Sequence, residues 1–197
     1  MRRLVISMLM VLLTEMVSAQ ETKIYNTRDI YWLGIDYNQC YFITSIDFYP
    51  PDRLYTELKA WNILIFNEKD KYIDRNFSNR EIIIKSDFIS RLNENVVVDS
   101  LLVDDLSKTK HLSKDDISNI VKTYNFPSDL SGVGLILIAE SYSKPEEKGY
   151  YYSTLVDIKS KKVLLTERMS GDARGFGLRN YWARTYYKVL RKIGKEY

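Results

Sequence analysis

The segment 171–180 (GDARGFGLRN) carries the residue types in this chain best suited to binding a ligand. It precedes apolar residues at helical spacing, so Arg174, Arg179 and Asn180 are expected near the first turn of a helix. Free N–H groups and the positive end of the helix dipole attract anions there, and arginine binds them through two hydrogen bonds. Neither a Walker loop nor a dinucleotide fingerprint is present. The segment therefore predicts an anion or small-ligand site at these three residues, or alternatively a plain connecting loop.

Basic residues recur on the outer face of the helix that follows this loop. They are Arg184, Lys188, Arg191, Lys192 and Lys195. Such a stripe suits an acidic partner or phospholipid headgroups. It also suits a solvated face whose last cations complement the negative end of the helix. We expect at most a weak anion or membrane-surface contact, through Arg184, Lys188, Arg191 and Lys195.

The remaining reactive side chains form no recognisable catalytic set. Asp99, Asp104 and Asp105 are close in sequence and support only a third hypothesis, a carboxylate-dependent hydrolase. Calcium loops need regularly spaced ligands and a glycine, which this segment lacks. The single histidine, His111, is far in sequence from the single cysteine, Cys40, which lies in an apolar run and is expected to be buried. We therefore predict no catalytic residue, no metal site and no cofactor.

The spacing of apolar residues predicts the elements that position these side chains. Strands are predicted at 30–36 and 41–46, either continuing or pairing with each other. Leu54, Leu58, Trp61 and Ile65 recur at spacings of four and three, which predicts a helix over 52–67. Weaker patterns predict a strand at 81–85, a helix at 87–93 and an extended piece at 96–103.

The last third of the chain has the clearest patterns. Ser113 followed by acidic residues predicts the start of a helix, and the apolar run 133–142 predicts a central strand. Residues 150–158 and 163–167 predict a β-hairpin, and 178–193 keeps the helical period over four turns. This order predicts an α+β fold, a mixed and largely antiparallel sheet packed by helices with a long C-terminal helix.

Residues 1–19 have the pattern of a signal peptide. Arg2 and Arg3 precede a largely apolar run of ten residues, 4–13, and Val17-Ser18-Ala19 places the cleavage before Gln20. The apolar run is about half the roughly 20 residues needed to span a bilayer. Residues 20–197 are then expected to form a single globular domain without a transmembrane span. A formal net charge of +3 argues against nucleic acid as an obligatory partner.

The predicted hairpin carries a family resemblance. Residues 152–165, with Asp157 before the turn and Val163-Leu164 after it, resemble the hairpin of the TolB N-terminal domain and of the curli secretion protein CsgG and its relatives. The segment 33–37 (LGIDY) resembles their first strand. This resemblance implies a periplasmic assembly or binding role. The chain lacks the lipidated cysteine of the curli-type proteins, and membrane-channel formation is not carried over.

The chain as a whole is also similar to uncharacterised secreted envelope proteins of Gram-negative bacteria. The similar passages are 34–37, 61–64, 91–94 and 175–182. Together with the leader, this favours a periplasmic or secreted envelope protein that is not an enzyme and binds another protein. The alternatives are the anion or small-ligand site at 171–180 and the hydrolase.

Overall fold

The structure, a computed structural model, describes residues 29–43 and 48–196, and these fold around a seven-stranded sheet. The strands are β1 (Asp29–Asp36), β2 (Tyr41–Ile43), β3 (Glu81–Ile84), β4 (Leu102–Val103), β5 (Val133–Ser143), β6 (Lys148–Asp157) and β7 (Lys162–Asp172). The helices are α1 (Pro51–Asn67), α2 (Asp87–Asn93), α3 (Lys114–Thr123) and α4 (Leu178–Glu196), with a π-helical turn (Asp70–Asp74) and two 3₁₀ turns (Val98–Leu101 and Leu106–Lys108). The predicted signal peptide, residues 1–19, lies outside the described residues.

The predicted fold class is wrong, because the chain has an α/β fold and the sheet is not largely antiparallel. Strands β3, β1, β5, β2 and β4 pair only in parallel with one another. Only β6 and β7 run antiparallel, as the hairpin beside β5. Parallel strands need a crossover connection, and α1, α2 and α3 supply one after β2, β3 and β4. The antiparallel pairing is confined to the hairpin and its contact with β5, and it does not extend to the other strands.

Strands β1 and β2 are two halves of one interrupted strand. β1 pairs with residues 133–138 of β5, and β2 pairs with residues 141–143. Since β6 occupies the other edge of β5, β1 and β2 lie end to end along the same edge. Of the two sequence-based alternatives, continuation and pairing, the structure therefore has continuation. β3 pairs with β1, and β4 pairs with β2.

Helices cover both faces of the sheet. The neighbouring β1 residues Trp32 and Leu33 belong to opposite cores, one built with α1 and α4 and the other with α2 and α3. Every residue of β5 is buried, as expected for a strand covered on both sides. The central strand predicted at 133–142 is confirmed.

The closing helix α4 packs closely on the hairpin. A Cβ atom at Gly171 would lie 2.0 Å from the carbonyl oxygen of Thr185, so a glycine is needed where β7 meets α4. Lys192, from the predicted basic stripe, donates a hydrogen bond from Nζ to the carbonyl of Ser170 at 2.6 Å. Among residues 29–43 and 48–196, no helix combines the length and apolar character needed to cross a membrane.

Candidate functional site

A polar pocket lies where the sheet is irregular, around Glu140 in β5. The pairing of β5 with β6 shifts register between Ala139 and Ser141, which makes Glu140 the extra residue of a β-bulge. A bulge interrupts the alternation of side chains, and both Glu140 and Ser141 line the pocket. At the same level, residues 37–40 between β1 and β2 stand opposite only 139–140 of β5. The pocket therefore forms where two adjacent strands depart from regular pairing.

Glu140 is a buried carboxylate with a fixed cationic partner. Its side chain is 2% exposed, and Oε2 accepts hydrogen bonds from Arg168, from Nε at 2.7 Å and from the terminal guanidinium nitrogen at 2.6 Å. Desolvation acts to lower the pKa of Arg168, but the hydrogen bond and charge of Glu140 outweigh it, and the pKa is raised. The guanidinium also lies 4.4 Å from the ring centre of Tyr150. Because a buried charge is tolerated only when paired, these two residues act as one unit.

The second carboxylate oxygen of Glu140 holds the segment 109–112 on the sheet. Oε1 accepts the backbone N–H of Leu112 at 3.2 Å and lies 3.4 Å from Nδ1 of His111. The hydroxyl of Tyr152 donates a hydrogen bond to the carbonyl of Leu112. The His111 side chain is 75% exposed, and with Nδ1 at Glu140 its Nε2 is the ring nitrogen left for a ligand.

The pocket that these groups enclose has a volume of about 310 Å³. Its lining consists of Tyr41, Thr109, Lys110, His111, Glu140, Ser141, Glu146, Tyr150 and Arg168. Two cations, Lys110 and Arg168, balance two carboxylates, Glu140 and Glu146, when the histidine is neutral. The Tyr150 hydroxyl donates to Glu146 Oε1 at 3.2 Å; burial, followed by the charge of that carboxylate, raises the pKa of the phenol. The pocket therefore offers hydroxyls, two aromatic rings and both signs of charge.

The pocket is not predicted by any pattern in the sequence. Glu140 lies in an apolar strand, and His111 lies in a polar segment 29 residues away, so no spacing connects them. One feature of the sequence does point to this pocket. Glu140 is a charged residue within a run that is otherwise typical of a buried strand (VGLILIAESY). A carboxylate at such a position must have a partner, and this directs attention to the cations of neighbouring elements.

The predicted ligand-binding residues lie in a different part of the molecule. Arg174, Arg179 and Asn180 are all exposed around the start of α4. A depression of about 300 Å³ lies beside them, but its cationic lining residues are Arg53 and Lys144, and none of the three predicted residues lines it. The binding role assigned to these three residues stays a prediction.

The aspartates considered for a hydrolase and the single cysteine are not brought together in one site. Asp104 pairs with Lys108 at 3.1 Å, and Asp105 accepts a hydrogen bond from the backbone N–H of Ser107. Within the described part of the chain, no group of three or more His, Cys, Asp or Glu side chains is placed to hold a metal ion. Cys40 is buried as expected; its burial, followed by the charges of Glu140 and Asp36, raises the pKa of the thiol and keeps it protonated.

No family model, curated protein or solved structure matches this chain significantly. The resemblance of the hairpin to the TolB N-terminal domain and CsgG therefore stays a prediction.

Proposed function

We propose that this protein binds a small polar molecule of low net charge in the pocket around Glu140. The observation that carries the proposal is the buried Glu140–Arg168 pair, which lines a pocket together with His111, whose Nδ1 lies 3.4 Å from Glu140 Oε1. Binding sites typically combine a shaped cavity with a few polar groups held rigidly on regular elements. The volume of about 310 Å³ is at the small end of the range for ligand pockets.

The balance of charge indicates the class of ligand. Two cations and two carboxylates cancel in the lining, so a strongly anionic or cationic molecule gains little from the net field. The hydroxyls of Tyr41 and Tyr150 donate and accept hydrogen bonds, and their rings offer apolar surface to a flat or ring-shaped molecule. A neutral, hydroxyl-rich compound or a zwitterion fits this lining best.

The proposal is tested by the change in melting temperature with a panel of neutral sugars, zwitterionic amino acids and dicarboxylates. A ligand that binds only the native state stabilises it by RT ln(1 + [L]/Kd), about 2.7 kcal/mol at 100 times Kd. We expect a saturable increase with a neutral or zwitterionic compound. Tyr150→Phe combined with Glu146→Gln should remove most of that increase, because these changes remove a hydroxyl and a carboxylate from the lining of the pocket. The fold should be kept, because the buried Glu140–Arg168 pair is left intact.

The matched control combines Tyr55→Phe with Glu94→Gln, the same chemical changes at surface positions outside the pocket. It should respond to the ligand as the parent does. If the pocket variant also keeps the full response, or if no neutral or zwitterionic compound stabilises the parent, the proposal fails.

Export and protein binding, both expected from the sequence, are also retained as proposals. They are supported by the leader pattern of residues 1–19 and by the resemblance of the hairpin to periplasmic proteins. A ligand pocket and a protein-binding surface are compatible on one chain, because the Glu140 pocket and the depression beside the loop before α4 are lined by different residues.

A further inference from the structure

A phenylalanine projects from the loop that leads into α4. Phe176 is 95% exposed, the largest value among the large apolar side chains of the described residues. Its neighbours Gly175 and Gly177 have φ angles of +134° and +76°, which favour glycine and shape a narrow loop. Removing such a ring from water is worth about 1.5–3 kcal/mol, so an exposed phenylalanine at a loop tip is a suitable anchor for a partner.

Phe176, together with Gly175 and Gly177, is itself one of the residues that line a depression of about 300 Å³. Leu178 and Tyr181 supply its apolar and aromatic walls, and Arg53 and Lys144 supply its cations. The ammonium of Lys144 lies 4.1 Å from the ring centre of Tyr181, so the aromatic wall is held in place. The same surface therefore carries both a projecting ring and a cavity able to receive one.

Charged residues of both signs lie on or next to the segments that form the loop and the depression. The cations are Arg53, Lys144, Arg174 and Arg179, and the carboxylates on or next to the same segments are Asp52, Glu147 and Asp172. Glu147 accepts a hydrogen bond from the Tyr181 hydroxyl at 2.8 Å, which places one carboxylate at the wall of the depression. A surface of a single sign would repel an identical surface, whereas this mixed surface can complement itself.

We propose that two copies of this chain associate through this surface, with Phe176 of each copy seated in the depression of the other. A twofold interface uses the same patch on both subunits, so it requires a projection and a matching cavity on one surface. The loop before α4 meets that requirement and also satisfies the need for charge complementarity. The proposal is independent of the Glu140 pocket, and each can fail without the other.

The test measures the mass of the purified protein in solution by light scattering and sedimentation over a wide range of concentrations. We expect the mass to rise from that of one chain towards that of two. Phe176→Ser should raise the dissociation constant of the dimer at least tenfold, which corresponds to about 1.4 kcal/mol. Because the side chain is exposed, the melting temperature of the dilute monomer should not change.

The matched control is Phe66→Ser, which changes the same residue type at a position on α1 that is 64% exposed and outside the depression. This variant should associate as the parent does. A parent that stays monomeric at every concentration would overturn the proposal. Equal weakening by Phe66→Ser and Phe176→Ser would also overturn it, since association would then depend on general surface hydrophobicity.

Discussion

Two asparagine side chains form hydrogen bonds with the edge of β1 beyond the point where β3 ends. β3 pairs with β1 only as far as Trp32, so Ile35 and Tyr37 lie beyond the last paired residue on that edge. Asn62 accepts the Ile35 N–H at 2.8 Å and donates to its carbonyl at 3.0 Å. Asn93 accepts the Tyr37 N–H at 3.0 Å and donates to the Ile35 carbonyl at 2.7 Å. The two amides thereby satisfy buried backbone groups that would otherwise lack partners.

Asn62→Leu should lower the free energy of unfolding by about 1–3 kcal/mol, because it removes the acceptor of a buried backbone N–H while keeping a similar volume. The quantity to measure is the midpoint of urea unfolding. Asn119→Leu, at an exposed position on α3, is the matched control and should change stability by no more than about 0.5 kcal/mol. Equal effects of the two substitutions would show that the Asn62 amide does not support β1.

Among the elements, α4 depends on an aromatic cluster that joins it to the sheet and to α1. Trp182 is fully buried, stacks on Phe48 with ring centres 5.2 Å apart, and contacts the edge of Tyr142 at the same distance. The ring of Tyr142 also stacks on Trp61 of α1 at 5.3 Å. The Nε1 of Trp182 has no hydrogen-bond partner among the described residues, so we attribute the contribution of this residue to packing.

Trp182→Ala should therefore lower the free energy of unfolding by about 3–5 kcal/mol, the usual cost of truncating a large buried aromatic residue. Trp182→Phe should cost clearly less, because a ring remains and no hydrogen bond is lost. Both values come from denaturant unfolding, with Phe66→Ala as the exposed control. An unchanged midpoint in the alanine variant would contradict the packing described for α4.

At the scale of the whole molecule, the leader pattern makes a prediction about the mature chain. Cleavage after Ala19 should leave a protein that begins at Gln20, because small residues precede this bond and a short apolar run precedes them. Intact-mass measurement on protein from the cell envelope or medium checks this. A chain that retains Met1, or a protein found only in the cytosol, would contradict both the cleavage and the proposed export.

Local patterns predicted the individual elements well. The helical spacing of Leu54, Leu58, Trp61 and Ile65 corresponds to α1, and the apolar positions of 178–193 lie within α4. The segment 68–79, in contrast, reads as a charged loop but contains a π-helical turn with Tyr72 and Ile73 buried. The apolar period shows which residues of one element share a face, and capping residues mark where a helix begins. These signals predict helices and the hairpin, but not short irregular turns whose buried residues pack against distant parts of the chain.

The sequence by itself determined where the helices and the hairpin form, because those depend on contacts between residues a few positions apart. Only the tertiary structure decided the parallel direction of five strands and the meeting of Glu140 with Arg168, 28 residues further along the chain. The physical reason is the same in both cases. Crossover connections bring strands together that are far apart in sequence, and a bulge turns Glu140 towards a distant cation. Neither contact leaves a regular spacing in the sequence, because the packing of the whole chain selects the partners.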